Sequence, residues 1–250
     1  IKSMNKTLLS LAASAMIATN VNAGVILDFE AGAGNWNATP SGVTSYNGSD
    51  INLEDDMGLD SSNNIYAYAD FNHFIPIVPN LRVEKQDLVM DATGSIGSIT
   101  FGDTSFGADT KTNLDLSQND MIVYWGVPLL NLATAGMLNV NFGLDLKQFN
   151  GTIELDSNAG TEELDLDFTV PMGYVAAKFS PPFLPATFEA SYKTITYKDS
   201  SLSDIMAKIS IKLPIPLPLI DFKADIGYKE QVLDISSDLS DNLTADMTFK

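Results

Sequence analysis

His73 is the only histidine and the chain has no cysteine. General-base chemistry near neutral pH therefore rests on one side chain, and thiol nucleophiles, disulfides and thiolate-bound metals are excluded. Acyl transfer by a histidine paired with a serine would need His73 to face an enclosed nucleophile. Its neighbours at two-residue spacing are Ile65, Ala67, Ala69 and Phe71, an apolar series. On a strand that series shares one face, so the spacing puts His73 on a lipid-facing rim beside a proline-rich turn, where amphipathic rings belong. No catalytic residue follows from this, and the chain reads as a non-enzyme. Acids gather at Asp50, Glu54, Asp55, Asp56 and Asp60, at Glu154, Asp156, Glu162 and Glu163, and at Asp234, Asp238 and Asp241. Such clusters attract divalent cations, but Asn52 to Asp60 lacks EF-hand spacing, and solvated acidic loops are the plainer reading. The glycines of Glu30-Ala31-Gly32-Ala33-Gly34 precede Trp36 with no βαβ unit after them, which excludes a dinucleotide loop. No cofactor is expected. A formal net charge of −18 excludes a nucleic-acid partner, which would need basic patches.

The elements that would position these groups begin with an export signal. Residues 1–3 read as upstream of a start at Met4, Lys6 supplies a positive n-region, and Leu8 to Ala18 form an apolar run. Val21-Asn22-Ala23 supplies a small-residue cleavage site, so the mature chain is expected to begin at Gly24. The apolar run is shorter than the about 20 residues of a membrane-spanning helix, and nothing later approaches that length. Removing residues 1–23 takes away Lys2 and Lys6 and no acid.

The mature chain alternates with period two. Leu138, Val140, Phe142, Leu144 and Leu146 interleave with Asn139, Asn141, Gly143, Asp145 and Lys147. Leu164 to Met172, Ile205 to Leu213, Phe222 to Tyr228 and Leu243 to Phe249 repeat the pattern, giving strands with one apolar and one polar face. The connections come in two alternating kinds. One is apolar and proline-rich: Ile75 to Pro79, Val127 to Leu130, Pro181 to Pro185 and Pro214 to Pro218. The other is acidic: residues 49–64, 103–109, 154–163, 199–204 and 234–241. Connections segregated in this way predict an all-β, up-and-down antiparallel transmembrane β-barrel of about ten strands, with short turns at one end and longer loops at the other. The strands are placed at 24–34, 63–74, 80–102, 108–126, 137–153, 164–179, 186–199, 204–213, 220–235 and 242–250. Gly94, Gly97, Gly102 and Gly107 predict bulges in the third and fourth. The last strand stops at Lys250 without a terminal aromatic residue, which suggests a closing strand cut short.

Export and a barrel together point to the outer membrane. Outer-membrane lipids, lipopolysaccharide and the barrel assembly machinery are then the expected partners, with divalent cations at the acidic loops. On the polar strand faces, Asp28, Glu30, Asp70, Arg82, Glu84, Asp145, Lys147, Asp165, Asp167, Glu189, Lys193, Lys208, Lys212, Asp221, Lys223 and Asp225 are expected to form a mixed-charge lumen network. Unpaired buried charge is costly, so both signs together in a narrow bore predict a plug rather than an open porin. Trp36, Trp125, Tyr124, Tyr174, Tyr192, Tyr197 and Tyr228 are assigned to interfacial girdles. A lipid-modifying barrel enzyme, a channel for small solutes or hydrophobic compounds, and a soluble periplasmic β-protein stay open as alternatives.

The mature opening from Gly24 to Trp36 resembles a small family of Gram-negative outer-membrane barrels of unassigned function that share an E-A-G-x-G-x-W start. The likeness continues through Leu53 to Asp60, Tyr66 to Pro76, Asn80 to Glu84 and Asp120 to Trp125. It implies a signal-bearing outer-membrane barrel and no particular activity. Many members read His-Pro-apolar-Pro at the first turn, whereas here Phe74-Ile75 separates His73 from Pro76.

Overall fold

The computed structural model describes residues 16–22, 27–48, 50–73, 75, 77–215, 220–237 and 243–250. Residues 1–15 and the expected cleavage site Ala23–Gly24 lie outside them. In chain order the strands are β1 (Met16–Asn22), β2 (Leu27–Ala38), β3 (Pro40–Tyr46), β4 (Ile51–Asn52), β5 (Ser62–His73), β6 (Asn80–Gln86), β7 (Val89–Phe101), β8 (Thr104–Asp115) and β9 (Gln118–Gly126). A short helix α1 (Leu130–Ala133) follows. Then come β10 (Leu138–Phe149), β11 (Thr152–Ser157), β12 (Gly160–Asp165), β13 (Phe168–Phe179), β14 (Ala186–Tyr197), β15 (Ser200–Lys212), β16 (Ile220–Ile235) and β17 (Leu243–Phe249).

The ring runs β1-β2-β5-β6-β9-β10-β13-β14-β15-β16 and returns to β1, with every neighbour antiparallel. It is a closed up-and-down barrel, and closure removes the open edges that would otherwise pair with another chain. The proline-rich turns lie at one end, called the lower end hereafter, and the acidic connections at the other. Alternation sets the faces. Phe71, Leu81, Val83, Met121, Phe142, Leu144, Leu146, Val175, Ile205, Ile209 and Ile226 are exposed on the outside. Arg82, Glu84, Asp120, Asp145, Lys147, Glu189, Lys193 and Lys208 are buried inside.

Four of the expected long strands are each two. At Asp87–Leu88, Leu116–Ser117, Asn150–Gly151 and Leu166–Asp167 the chain leaves the ring and continues into a separate four-stranded sheet, β12-β11-β8-β7, above the upper end. Backbone bonds at the breaks hold the two sheets in line: Leu116 donates to Leu88, Asn150 to Ser117 and Leu166 to Gly151. The expected bulges fall in the β7–β8 hairpin, where the register shifts on either side of Ser95. The acidic segment after β4 is not a fully solvated loop. Ile51, Leu53, Met57 and Leu59 turn inward and pack with Trp36, Leu88, Met90, Phe149 and Phe249 into an apolar core that fills the upper barrel.

The strand expected over 242–250 does not close the ring. β17 pairs with the upper half of β16 and with β3, and the closing position is held by β1, which lies within the segment read as the export signal. These two strands share one line. Phe249 faces Gln231 and Pro40, whereas Met16 faces Asp225 and Gly34, a step of six residues along both flanking strands. One register therefore runs through β17 into the position of β1. Since the chain has no cysteine of its own, the pairing is open to a direct check. Ile17 and Ala224 are partners across β1 and β16, at a spacing a disulfide can bridge. The Ile17→Cys/Ala224→Cys chain, folded with residues 1–23 retained, is expected to form an intramolecular disulfide on oxidation. Persistent free thiols would contradict the pairing.

Candidate functional site: the charged lumen

The lower and middle lumen is filled by ionised side chains carried on alternate residues of the ring strands. On β2 the inward series is Glu30, Gly32, Gly34 and Trp36, alternate positions of the chain's Glu30-to-Trp36 segment. Gly32 leaves room for the Tyr68 ring, since a Cβ there would lie 2.5 Å from Tyr68 Cε1. That ring stands between two cations, with the Arg82 guanidinium carbon and Lys208 Nζ each 4.4 Å from its centroid. Its hydroxyl donates to Glu30 at 2.9 Å and accepts from Lys208 at 3.1 Å.

Arg82 is the hub. Its Nε donates to Glu84 at 2.6 Å, and one terminal nitrogen reaches both Asp70 and Glu189 at 3.4 Å. The other donates to the Tyr66 hydroxyl at 3.2 Å. A planar guanidinium can satisfy several acceptors in fixed directions, which a lysine cannot do. Below it, Glu30 takes Lys223 at 3.1 Å and Lys178 at 3.5 Å. Beside it, Lys208 pairs with Asp225 at 3.1 Å. Above it, Lys193 bonds Glu84 at 2.6 Å and also bonds Asp120, with Asp145 at 3.6 Å. Lys147, fully buried, holds Asp120 at 2.9 Å and Asp204 at 2.7 Å.

Higher still the charges give way to amides. Gln118 and Gln86 both donate to Gln231 Oε1, at 2.7 Å and 3.1 Å, and Gln231 donates back to Gln118. Lys229 lies over the Trp36 and Tyr66 rings at 5.6 Å and 5.2 Å. Above this level the lining is apolar. From the lower end a vestibule of about 490 Å³ reaches as far as Asp70, Arg82 and Glu189.

Of the expected lumen residues, Glu30, Asp70, Arg82, Glu84, Asp145, Lys147, Glu189, Lys193, Lys208, Lys223 and Asp225 come together in this network. Asp28 lies at its lower edge, half-buried. Four positions need correction. Asp165 and Asp167 are exposed, because inward places on that stretch go to Leu166, Phe168, Val170 and Met172. Lys212 and Asp221 pair with each other at 2.7 Å at the lower mouth, in phase with inward Ser210 and Lys223 but apart from the network, with Lys212 exposed and Asp221 half-buried. Asp120, Lys178, Asp204, Tyr66, Tyr68 and the glutamines belong to the network although the sequence pattern does not single them out. Tyr124 and Tyr174 are inside, where Tyr124 donates to Asp70 at 2.5 Å. Tyr124 and Trp125 are neighbours on one strand and must face opposite ways. Trp36 is also buried, while Trp125 stacks on Phe142 outside.

His73 sits at the lower rim. Its Nδ1 accepts from the Ile75 amide at 3.2 Å, and its Nε2 is 3.1 Å from the Pro79 carbonyl oxygen, so both ring nitrogens are engaged by the turn. Among the described residues no group of three or more His, Asp or Glu is placed to hold a metal ion, and no helix is long and apolar enough to cross a membrane.

No family model and no curated protein matches the chain. Among solved structures it is similar to Ail, the attachment invasion locus protein of Yersinia pestis, crystallised with the heparin analogue sucrose octasulfate. The TM-score is 0.37 and the identity 8%, over 87% of this chain and 98% of that one.

The network makes a sharp energetic demand at Arg82. Removing one partner of a buried ion pair costs about 3–5 kcal/mol, because the remaining charges are left uncompensated. Arg82→Met removes the ion pair of Asp70 and one partner each of Glu84 and Glu189, and is expected to lower stability by about that amount, read as an earlier midpoint in urea unfolding. Adding Asp70→Asn to Arg82→Met, which neutralises the carboxylate that loses its ion pair, should return part of the loss. An Arg82→Met chain as stable as the original would contradict the hub role.

Proposed function

We propose that the protein is a non-enzymatic integral barrel of the Gram-negative outer membrane, exported by residues 1–23, whose interior is a structural plug rather than an open channel. The observation that carries this reading is the reversal of polarity across one wall: exposed Leu144 and Leu146 on β10 alternate with fully buried Asp145 and Lys147. Water-soluble proteins bury the apolar face of a sheet, and here it is the ions that are enclosed. With lipid outside, the same alternation satisfies both faces, and pairing between neighbouring strands satisfies the backbone round the ring. Cleavage before Gly24 would take β1 out of that ring, so the place between β16 and β2 would then have to be filled by another strand on the line that β17 already holds.

Trp125 and Phe142 near the lower rim supply rings of the kind found at membrane interfaces. The engagement of both His73 nitrogens by its own turn favours an anchoring role over catalysis. Lipopolysaccharide is the expected neighbour of the acidic upper end, with divalent cations between the two sets of anions, and the assembly machinery is the expected partner during insertion.

Expressed from Met4 in a Gram-negative host, the protein is expected in the outer-membrane fraction after alkaline extraction. It should run faster on a gel unheated than boiled, and its intact mass should begin at Gly24. Recovery in the soluble periplasmic fraction, with no heat-dependent mobility, would overturn the reading.

A further inference from the structure

The wall of the barrel is not continuous at its upper end. β13 and β14 pair from Phe179–Phe188 up to Gly173–Thr194 and no further. Beyond that point β13 continues against β10 alone, as far as Phe149–Phe168. β14 continues against β15 alone, as far as Tyr197–Ser200. The two strands thus part over residues 168–172 and 195–197. Pro171 lies two residues past the last pair and has no amide hydrogen to extend the ladder.

Behind the parting lies an apolar cavity of about 560 Å³, whose lining includes Phe168, Val170, Ile195, Leu202 and Leu233. Its size falls within the about 300–1,000 Å³ of small-molecule sites. The inward residues here belong to the apolar upper core, above the layer of glutamines. On the outside, the parting stands at the upper margin of the exposed apolar band, directly above Val175 on β13 and Tyr192 on β14. Among the described residues, the charged groups lining the cavity are Asp165 and Asp234.

We propose that this parting is a lateral portal, through which an uncharged long-chain molecule dissolved in the outer leaflet enters the upper barrel side-on. The inference rests on the membrane reading above. Continuity between the apolar band and the cavity lets a hydrocarbon chain pass from lipid to protein without crossing water. The sealed lower lumen stops it from passing on through the barrel axis. The two carboxylates at the lining disfavour an anionic headgroup, so the ligand class is an alcohol or other neutral amphiphile rather than a fatty-acid anion or a bare phosphate.

The test is photolabelling of the full chain in phosphatidylcholine vesicles with a long-chain alcohol carrying a diazirine in its alkyl tail, read residue by residue by mass spectrometry. Labels are expected on inward Phe168, Leu202 and Leu233 as well as on outward Val175, Tyr192 and Ile205. Leu202→Trp, or Ile195→Trp should the first fail to fold, fills the cavity and is expected to remove the inward labels while sparing the outward ones. The matching fatty-acid anion should label the outward set and leave the inward set unlabelled. Outward labels with no inward ones from the alcohol would overturn the portal, and equal inward labelling by the anion would overturn its selectivity. Absence of labels from both faces would overturn the membrane reading and the portal together.

Discussion

Arg82 holds Asp70, Glu84 and Glu189 around one guanidinium, and Lys193 links Glu84 onward to Asp120 and Asp145. Much of the structure follows from the requirement that these ions be neutralised together. A ring of ten strands leaves a bore that side chains can fill, so every inward charge needs partners supplied from strands across the barrel. Glu189 on β14 and Arg82 on β6 meet although neither strand neighbours the other in the ring. Such contacts favour one closure and one register, because slipping a strand by a single residue would turn its charges toward lipid.

The requirement also explains the gradient along the axis. Charges occupy the lower and middle lumen, three glutamines are joined by hydrogen bonds above them, and an apolar core closed by Leu53, Met57 and Leu59 lies at the top. Each layer is compatible with the next: ions with tyrosine hydroxyls, cations with aromatic faces, amides with amides. The apolar upper core is where four strands can leave the ring and where β13 and β14 can part, since no ion there depends on an intact wall.

Much of this is legible in the sequence because strands have a period of two and the turns differ chemically at the two ends. The inward series Glu30, Gly32, Gly34 and Trp36 stands out as alternate positions of one motif. What stays hidden has specific causes. Asp120 is followed by apolar residues on both faces, Met121 outside and Ile122 inside, which erases the alternation. Asp204 reads as a loop residue because the β14–β15 turn carries Lys198 in the left-handed region, at φ 51°, where glycine or asparagine would have marked a tight hairpin. The departure of strands into the upper sheet leaves no mark, because alternation continues across each break. The identity of the strand between β16 and β2 depends on register alone, which pattern does not reveal.

If paired charge seals the barrel, ion flow across a planar lipid bilayer is the most direct measure of the seal. Purified protein inserted from detergent is expected to give no stepwise conductance in molar salt. Replacing the lumen ions Arg82, Glu84, Lys147 and Lys193 together by serine is expected to produce conducting steps. Steady channel openings from the unaltered protein would contradict a sealed lumen.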